Sequence, residues 1–295
     1  MTTPALENLF KNFKKAEIVL VGPKISIDLI KDHPSIFHTI EIKKDYLAMF
    51  RLARKLGSFD FFISFRNSAR SNFFKLLISS KKKFHFIENN FPNCHQVEKY
   101  NKFICQVINK KLHPGPLNLY PKFSTSKMNL IGINPGASYG SAKRWYPERF
   151  AEVISNLNNK YKVIIFGSSD DEKSIASEIL SFLDLSSRKQ CVDLTGKTDI
   201  YQLKELISKL DLFITGDSGP MHIASAYNIP TIAIFGPTNF LETSQWNKHK
   251  KFLIKSNLDC QPCMKRQCPL GHHNCMKQLE SIEVIDVLKK LNFAN

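Results

Sequence analysis

The feature that most limits the fold of this chain is a regular alternation of short apolar runs with longer amphipathic stretches. This pattern is typical of βαβ units, in which a parallel sheet carries helices on both faces. The apolar runs predict strands at residues 17–21, 39–42, 59–65, 83–87, 128–134, 162–166, 190–194, 212–215 and 231–235. Helical periodicity between the runs predicts helices at residues 47–56, 69–79, 96–109, 147–158, 170–183, 200–210 and 220–227. We therefore expect an α/β protein.

The pattern breaks once, in the segment LHPGPLNLYPKFSTSK at residues 112–127. Three prolines, a glycine and several polar residues leave little periodicity there, as is typical of a linker. The chain has 295 residues, which is enough for two domains of ordinary size. We predict one domain at residues 1–122 and a second at 123–295, with a cysteine-rich loop at 260–275 in the second.

The first residues resemble a helix start, because Thr3 suits the N-cap and Pro4 suits the first helical position. A doubly wound domain normally opens on a central strand, and the turn after that strand faces the ligand crevice. No strand-like run precedes Thr3 in this sequence. We expect the first domain to be N-terminally truncated relative to a complete doubly wound domain.

The charge balance indicates anionic partners, because 42 Lys and Arg residues face 26 Asp and Glu residues, giving a net charge of +16. Nucleic acid, acidic lipid headgroups, phosphorylated glycans and nucleotide sugars all fit that charge, and so does an ordinary lysine-rich solvated surface. Neither a recognition helix nor basic strands interleaved with aromatic residues are evident, so nucleic acid is not expected as a partner. Without a signal peptide or an apolar run of about 18 residues, a cytoplasmic location is expected.

Two predicted turns between a strand and a helix carry residues that suit an anion. In open α/β sheets, ligands bind outside the carboxyl ends of the strands. The loop NPGASYGSAKRW at residues 134–145 places Ser138, Ser141 and Lys143 there, and the lysine suits a phosphate. The same segment also fits an ordinary surface loop.

The second turn, TGDSGPMH at residues 215–222, leads from a strand into a helix whose N-terminus attracts anions. Its candidate binding residues are Asp217, Ser218, Gly219 and His222. A simple helix cap and a packing histidine are the alternative interpretations. Two further turns lie at the same predicted edge: residues 166–172 offer acidic and hydroxyl groups that suit a ribose or a helix cap, and residues 195–198 offer the hydroxyl of Thr198.

Several common enzyme classes lack their usual motifs. The GDSGP segment is not a trypsin-like active site, because a helix follows it and no secreted β-barrel pattern surrounds it. The chain has no G-x-G-x-x-G or Walker motif, so dehydrogenase and phosphate-loop ATPase functions lose their support.

Four cysteines are clustered near the C-terminus, with the spacing C-x2-C-x4-C-x6-C. They are Cys260, Cys263, Cys268 and Cys275, and two histidines lie among them. Thiolates and imidazoles at such spacing suit a structural zinc ion, while a structured loop with reduced thiols is the alternative.

Four segments together resemble the ADP-heptose:lipopolysaccharide heptosyltransferases of glycosyltransferase family 9, with the heptosyltransferase II branch nearest. They are INPGASYGSAKRWYPERFAEVI, FGSSDDE, DLTGKTDIYQLKELISKLDLFITGDSGPMHIASAYNIPTIAIFGPT and CQPCMKRQCPLGHHNCM. MTTPALENLF, FRNSARSNFF and HQVEKYNKFI extend the resemblance over nearly the whole chain. The resemblance implies a GT-B fold, in which two Rossmann-like domains with doubly wound parallel sheets face a cleft.

The resemblance also implies inverting transfer of heptose from ADP-heptose to the inner-core heptose of a lipid A-linked oligosaccharide. It assigns donor-binding roles to Ser138, Lys143, Thr198, Asp217, Ser218, Gly219 and His222. No D-x-D pair is present, so no metal cofactor is expected to be required, although an auxiliary Mg²⁺ is compatible. An acceptor at the inner face of the anionic inner membrane would give the basic residues a target, through Lys81, Lys82, Lys83, Lys248, Lys250 and Lys251.

The sequence departs from the family at its first residues. Family members carry a strand and a Leu-Gly-Asp turn just before the segment that matches Met1–Pro4, and the aspartate of that turn is the expected general base. The base is therefore expected upstream of Met1, and no catalytic residue is assigned within the chain. A noncatalytic nucleotide-sugar-binding remnant and a related transferase with another nucleotide-sugar donor are the alternatives.

Overall fold

The chain divides into two compact units, Met1–Pro121 and Lys122–Asn295. The computed structural model describes residues 1–43, 45–123, 128–136, 139–247 and 251–294. Both units are built from parallel strands that alternate with helices, which confirms the predicted α/β class. No helix among these residues is both long and apolar enough to cross a membrane.

The first unit contains four strands in two separate parallel pairs. Its elements are α1 Thr3–Asn12, β1 Val19–Gly22, α2 Lys24–Ile30, β2 His38–Glu41, α3 Tyr46–Lys55, β3 Phe59–Ser64, α4 Ala69–Leu77, β4 Ser80–His85 and α5 Gln96–Ile108. β1 pairs with β2, and β3 pairs with β4. Among the residues that the structure describes, no backbone ladder joins the two pairs.

Side-chain packing holds the two pairs together. One apolar cluster is built around α1 and α5 and includes Ile63 of β3 and Phe84 of β4 at its margin, together with Ile18 just before β1. A second cluster, around Met49 of α3 and Phe74 of α4, contacts β1 and β3. The first unit therefore depends on apolar packing to connect its two sheets.

The second unit contains one continuous six-stranded parallel sheet, with strand order β10-β9-β8-β5-β6-β7. Its elements are β5 Leu130–Asn134, α6 Pro147–Ser155, β6 Lys162–Ile165, α7 Asp170–Phe182, α8 Leu185–Lys189, β7 Cys191–Asp193, α9 Ile200–Ser208, β8 Leu212–Gly216, α10 Gly219–Ala226, β9 Thr231–Phe235, α11 Phe240–Thr243, β10 Lys251–Lys255, α12 Asn274–Lys277 and α13 Ser281–Lys290. β8 and β9 are buried along their whole length. Such continuous apolar strands are expected where helices cover both faces of a sheet.

The path of the chain through this sheet indicates where a ligand would bind. From β5 the chain proceeds to β6 and β7 on one side, and then crosses to β8, β9 and β10 on the other. The strand order therefore reverses between β5 and β8. In open parallel sheets, ligands bind at this switch point, outside the carboxyl ends of the strands.

Helix α1 and strand β4 differ from the sequence expectations. Helix α1 begins at Thr3, with Thr2 as an N-cap residue whose side chain forms no capping bond, so the assignment of Thr3 as N-cap is wrong. Strand β4 begins at Ser80, three residues before the predicted start, because the charged segment Lys81–Lys83 is itself in the strand. Because Lys81 and Lys82 are exposed and charged, this part of the strand lacks the apolar run from which strands were predicted.

Candidate functional site

The candidate site lies at the carboxyl ends of β5 and β8, where Asn134 pairs with Thr215 in the parallel register. The turn after β8 then passes through Asp217 and Ser218 into α10. Lys143 reaches this turn from the loop that follows β5. The structure thus brings the predicted residues Lys143, Asp217, Ser218 and Gly219 to one place.

Lys143 and Asp217 form a buried ion pair. Lys143 Nζ lies 2.6 Å from Asp217 Oδ2, and their side chains are only 10% and 7% exposed. Thr238 donates its hydroxyl to the same carboxylate oxygen at 2.7 Å. Lys143 Nζ also donates to the Asp217 carbonyl at 3.3 Å. An ammonium has three donors, so these contacts leave one N–H for a ligand anion.

The ammonium of Lys143 also lies 4.5 Å from the ring centroid of Tyr139, within cation–π range. Asp217 is consequently not the cap of α10, because its carboxylate is committed to Lys143 and Thr238. Its role is to hold the lysine charge at the end of β8.

The N-terminus of α10 is open to an anion. Ser218 is the N-cap residue, yet its side chain forms no capping bond, and its hydroxyl contacts Thr215 Oγ1 at 3.0 Å instead. A methyl group built on Gly219 would meet no atom within 4 Å, so there is open space at the first turn. The unused backbone N–H groups and the helix dipole favour an anion there.

Three other predicted residues have different placements. His222 lies on α10, one turn from its start. Thr198 lies after β7, at the same edge of the sheet but three strands from β8. Ser138 lies outside the described residues.

Glu172, in the first turn of α7, has a larger role than the sequence analysis gave it. Its carboxylate is 4% exposed and accepts hydrogen bonds from the N–H groups of Ser168 and Ser169. All of these bonds, together with one from the Ser168 hydroxyl, go to Oε2. The other oxygen, Oε1, lies 2.3 Å from where a methyl group on Gly136 would be. The capping-box spacing of Ser169 and Glu172 was the signal for this position.

The cysteine-rich loop, residues 260–275, packs on the loop that carries Lys143. Tyr139 donates its hydroxyl to the Met264 carbonyl at 2.7 Å, and the N–H of Ala142 donates to the Arg266 carbonyl at 3.1 Å. A methyl group on Gly140 would come within 2.2 Å of that Arg266 carbonyl, so only glycine permits this approach. The cysteine-rich loop therefore shapes the residues on either side of Gly140.

His273 is the central contact of this packing. Its Nε2 lies 3.0 Å from the Ala142 carbonyl, and its Nδ1 lies 3.0 Å from the Tyr146 hydroxyl. A carbonyl can only accept, so Nε2 carries the proton and Nδ1 accepts from Tyr146. One imidazole thus joins the residues before and after Lys143.

The four cysteines of the cysteine-rich loop have different surroundings. No group of three or more His, Cys, Asp or Glu side chains in the described part of the chain is arranged to hold a metal ion. Cys275 is buried in the core beside Met276, and burial raises the pKa of its thiol to about 11. Cys268 instead accepts the N–H of His273, and this hydrogen bond lowers the pKa of its thiol. Charge repulsion from the thiols of Cys260, Cys263 and Cys268 raises the pKa of Cys275 further, so the four thiols lie near one another, and the zinc site stays a prediction.

Comparison with known proteins adds the family. A model for glycosyltransferase family 9 (heptosyltransferase) matches residues 49–274. Lipooligosaccharide heptosyltransferase 2 of Campylobacter jejuni serotype O:6 is 37% identical over 300 residues, covering 99% of this chain and 95% of that protein.

Two solved structures share the GT-B fold of this chain. Escherichia coli ADP-heptose LPS heptosyltransferase II has a TM-score of 0.79 and 22% identity, covering 98% of this chain and 93% of its own. A family 9 glycosyl transferase from Veillonella parvula has a TM-score of 0.82 and 21% identity, covering 98% and 92%.

Proposed function

Because the chain belongs to glycosyltransferase family 9, the heptosyltransferases, we propose that it transfers heptose from ADP-heptose to the inner-core heptose of a lipid A-linked oligosaccharide, with inversion. The observation that supports the donor most directly is the Lys143–Asp217 pair beside the open N-terminus of α10. A cation and free backbone N–H groups at one point suit a diphosphate.

Heptose transfer requires stabilisation of the ADP leaving group. As the bond from heptose to ADP breaks, negative charge grows on the diphosphate. The free N–H of Lys143 and the first-turn N–H groups of α10 would receive this charge without rearranging, because Asp217 and Tyr139 already fix the lysine. We propose no required cofactor, and an auxiliary Mg²⁺ on the diphosphate is compatible with this arrangement.

The nucleoside would occupy the adjoining strand ends. Glu172 Oε1 has no hydrogen-bond partner among the described residues and suits a ribose hydroxyl as donor. Thr198, after β7, lies further along the same edge and is proposed to contact the nucleoside. His222, on α10, is proposed to contact the diphosphate or the sugar.

The proposal is tested with the purified chain and with a form extended upstream to carry the expected general base. Each is incubated with ADP-heptose and a lipid A acceptor that ends in inner-core heptose, and the product is measured by mass spectrometry. We expect one added heptose, and no product with an acceptor that lacks the heptose. Calorimetry with ADP-heptose, ADP and UDP-glucose is run in parallel. ADP-heptose binding without turnover would identify a noncatalytic binder, and turnover with another nucleotide sugar would identify a related transferase. Either result would overturn the proposal.

His273, which braces the loop that carries Lys143, provides a further test. Replacing His273 with Ala removes both bonds that flank Lys143, so we expect the KM for ADP-heptose to rise about five- to tenfold with kcat nearly unchanged. His273→Gln, which can restore the bond to Ala142, should recover part of the affinity. His272→Ala is the matched control, because Nδ1 of that ring accepts only the nearby N–H of Asn274 in the described contacts. Equal effects of the two alanine variants would contradict the positioning role.

Peripheral contact with an anionic membrane is also proposed, but the predicted lysines support it weakly. Lys81 is paired with Asp60 at 2.7 Å, and Lys83 donates to the Lys75 carbonyl at 2.7 Å. Lys248 and Lys250 lie outside the described residues. A membrane-facing surface therefore has to be sought elsewhere on the chain.

A further inference from the structure

We propose that the exposed face of α3, with adjoining side chains of α4, docks onto an anionic lipid surface. This inference rests on the proposed function in one respect, namely that the acceptor is lipid-linked. It names a membrane contact that the lysine run at residues 81–83 does not provide.

Helix α3 exposes three large apolar side chains. Tyr46, Leu47 and Phe50 are 48%, 54% and 42% exposed. Residues of a helix are rotated by about 100° from one to the next, so these three side chains and Arg51 and Arg54 fall within an arc of about 140°. They therefore form one face of the helix.

The opposite face of α3 is committed to the core. Met49 and Ala53 are buried, and Leu52 and Leu56 pack against the same cluster. This packing fixes the rotation of the helix and leaves Tyr46, Leu47 and Phe50 outward. A surface helix normally presents polar residues on its outer face, so three large apolar side chains there call for a partner.

The charge of this face identifies the partner. Arg51 and Arg54 are exposed, form no ion pair in the described part of the chain, and flank the apolar side chains. The guanidinium of Arg54 lies 5.9 Å from the ring centroid of Phe50, so the cation and the ring share one location. Asp45, the acid that directly precedes α3, uses its carboxylate to cap the helix through the N–H groups of Leu47 and Ala48.

Aromatic and arginine side chains extend this surface onto α4. The ring of Tyr46 lies edge-on to Phe73 at 5.0 Å, and Arg70 is exposed one turn earlier on α4. Apolar side chains flanked by arginines match the interface of a membrane, where rings and aliphatic groups enter the headgroup layer and guanidinium groups meet lipid phosphates. The helix has fewer than three turns, so the binding should be shallow and reversible.

The test is sedimentation of the full chain with vesicles of phosphatidylethanolamine and phosphatidylglycerol, and with vesicles of neutral phosphatidylcholine. We expect binding to the anionic vesicles, and a loss of at least about tenfold in the double variant Leu47→Ser/Phe50→Ser. Arg51→Gln/Arg54→Gln should also weaken binding, and added salt should do the same. The control is Ile282→Ser, which removes a similarly exposed side chain from α13 and should change nothing.

Three outcomes would overturn the inference: no binding of the unaltered chain, unchanged binding of the α3 variants, or a shift of the α3 variants from dimer to monomer on size exclusion. The last outcome would assign the face to a second copy of the chain. A deacylated, water-soluble acceptor separates this inference from the proposed function. The α3 variants should transfer to it at the normal rate and fail only on vesicle-embedded acceptor. If the unaltered chain transfers to neither acceptor yet binds vesicles, only the proposed function fails.

Discussion

Replacing Lys143 with Met is expected to lower the rate of heptose transfer by about a hundredfold or more, the largest functional effect of any single change we foresee. Methionine keeps an unbranched stem but removes the charge that would stabilise the diphosphate leaving group. The measurement is kcat/KM with ADP-heptose as the varied substrate. Retention of most of the activity would exclude Lys143 from the donor site.

The same variant has a second effect, because Asp217 would be left as a buried charge, and Thr238 would be the one remaining hydrogen-bond partner of its carboxylate among the described residues. Breaking a buried pair from one side costs about 3–5 kcal/mol of stability. The double variant Lys143→Met/Asp217→Asn removes this uncompensated charge. It should regain stability without regaining transfer, which separates the catalytic effect from misfolding. Lys197→Met, which removes an exposed lysine at the same sheet edge, is the control.

Gly136→Ala is expected to destabilise the second unit by about 1–3 kcal/mol, because the added methyl group would overlap the buried carboxylate of Glu172. Moving Glu172 away would also free the N–H groups of Ser168 and Ser169, so ADP-heptose affinity should fall with stability. Both tryptophans, Trp145 and Trp246, lie in the second unit, so tryptophan fluorescence during urea unfolding reports on that unit.

The matched control is Gly219→Ala, since a methyl group there meets no atom within 4 Å. Its free energy of unfolding should stay within about 0.5 kcal/mol of that of the unaltered chain. An equal shift in both variants would show that close packing against Glu172 is not the cause.

Most of the second unit could be predicted from local pattern. β5, β8 and β9 are short apolar runs bounded by turns, and the predicted and observed β9 have the same bounds. β10 was missed because its apolar residues lie between lysines, and no local pattern distinguishes that segment from a loop. Pairing with the buried strand β9 is what stabilises it as a strand.

The site was only partly predictable, because its contacts join residues that are far apart in the sequence. The edge of the sheet follows from the order of strands and turns, and it drew attention to Lys143 and Asp217. Their pairing joins positions 74 residues apart, and no sequence spacing encodes it. The contact of His273 with Ala142 spans 131 residues, and no local spacing reveals that this segment braces a loop.

The separate strand pairs of the first unit have a consequence for handling this protein. Apolar packing, the link between those pairs in the described residues, is weakened by urea, whereas the second unit also has a continuous hydrogen-bonded sheet. Low concentrations of urea should therefore loosen the first unit before the second, and such samples should lose transfer while they still bind nucleotide. Sucrose, which favours buried surface, should preserve both.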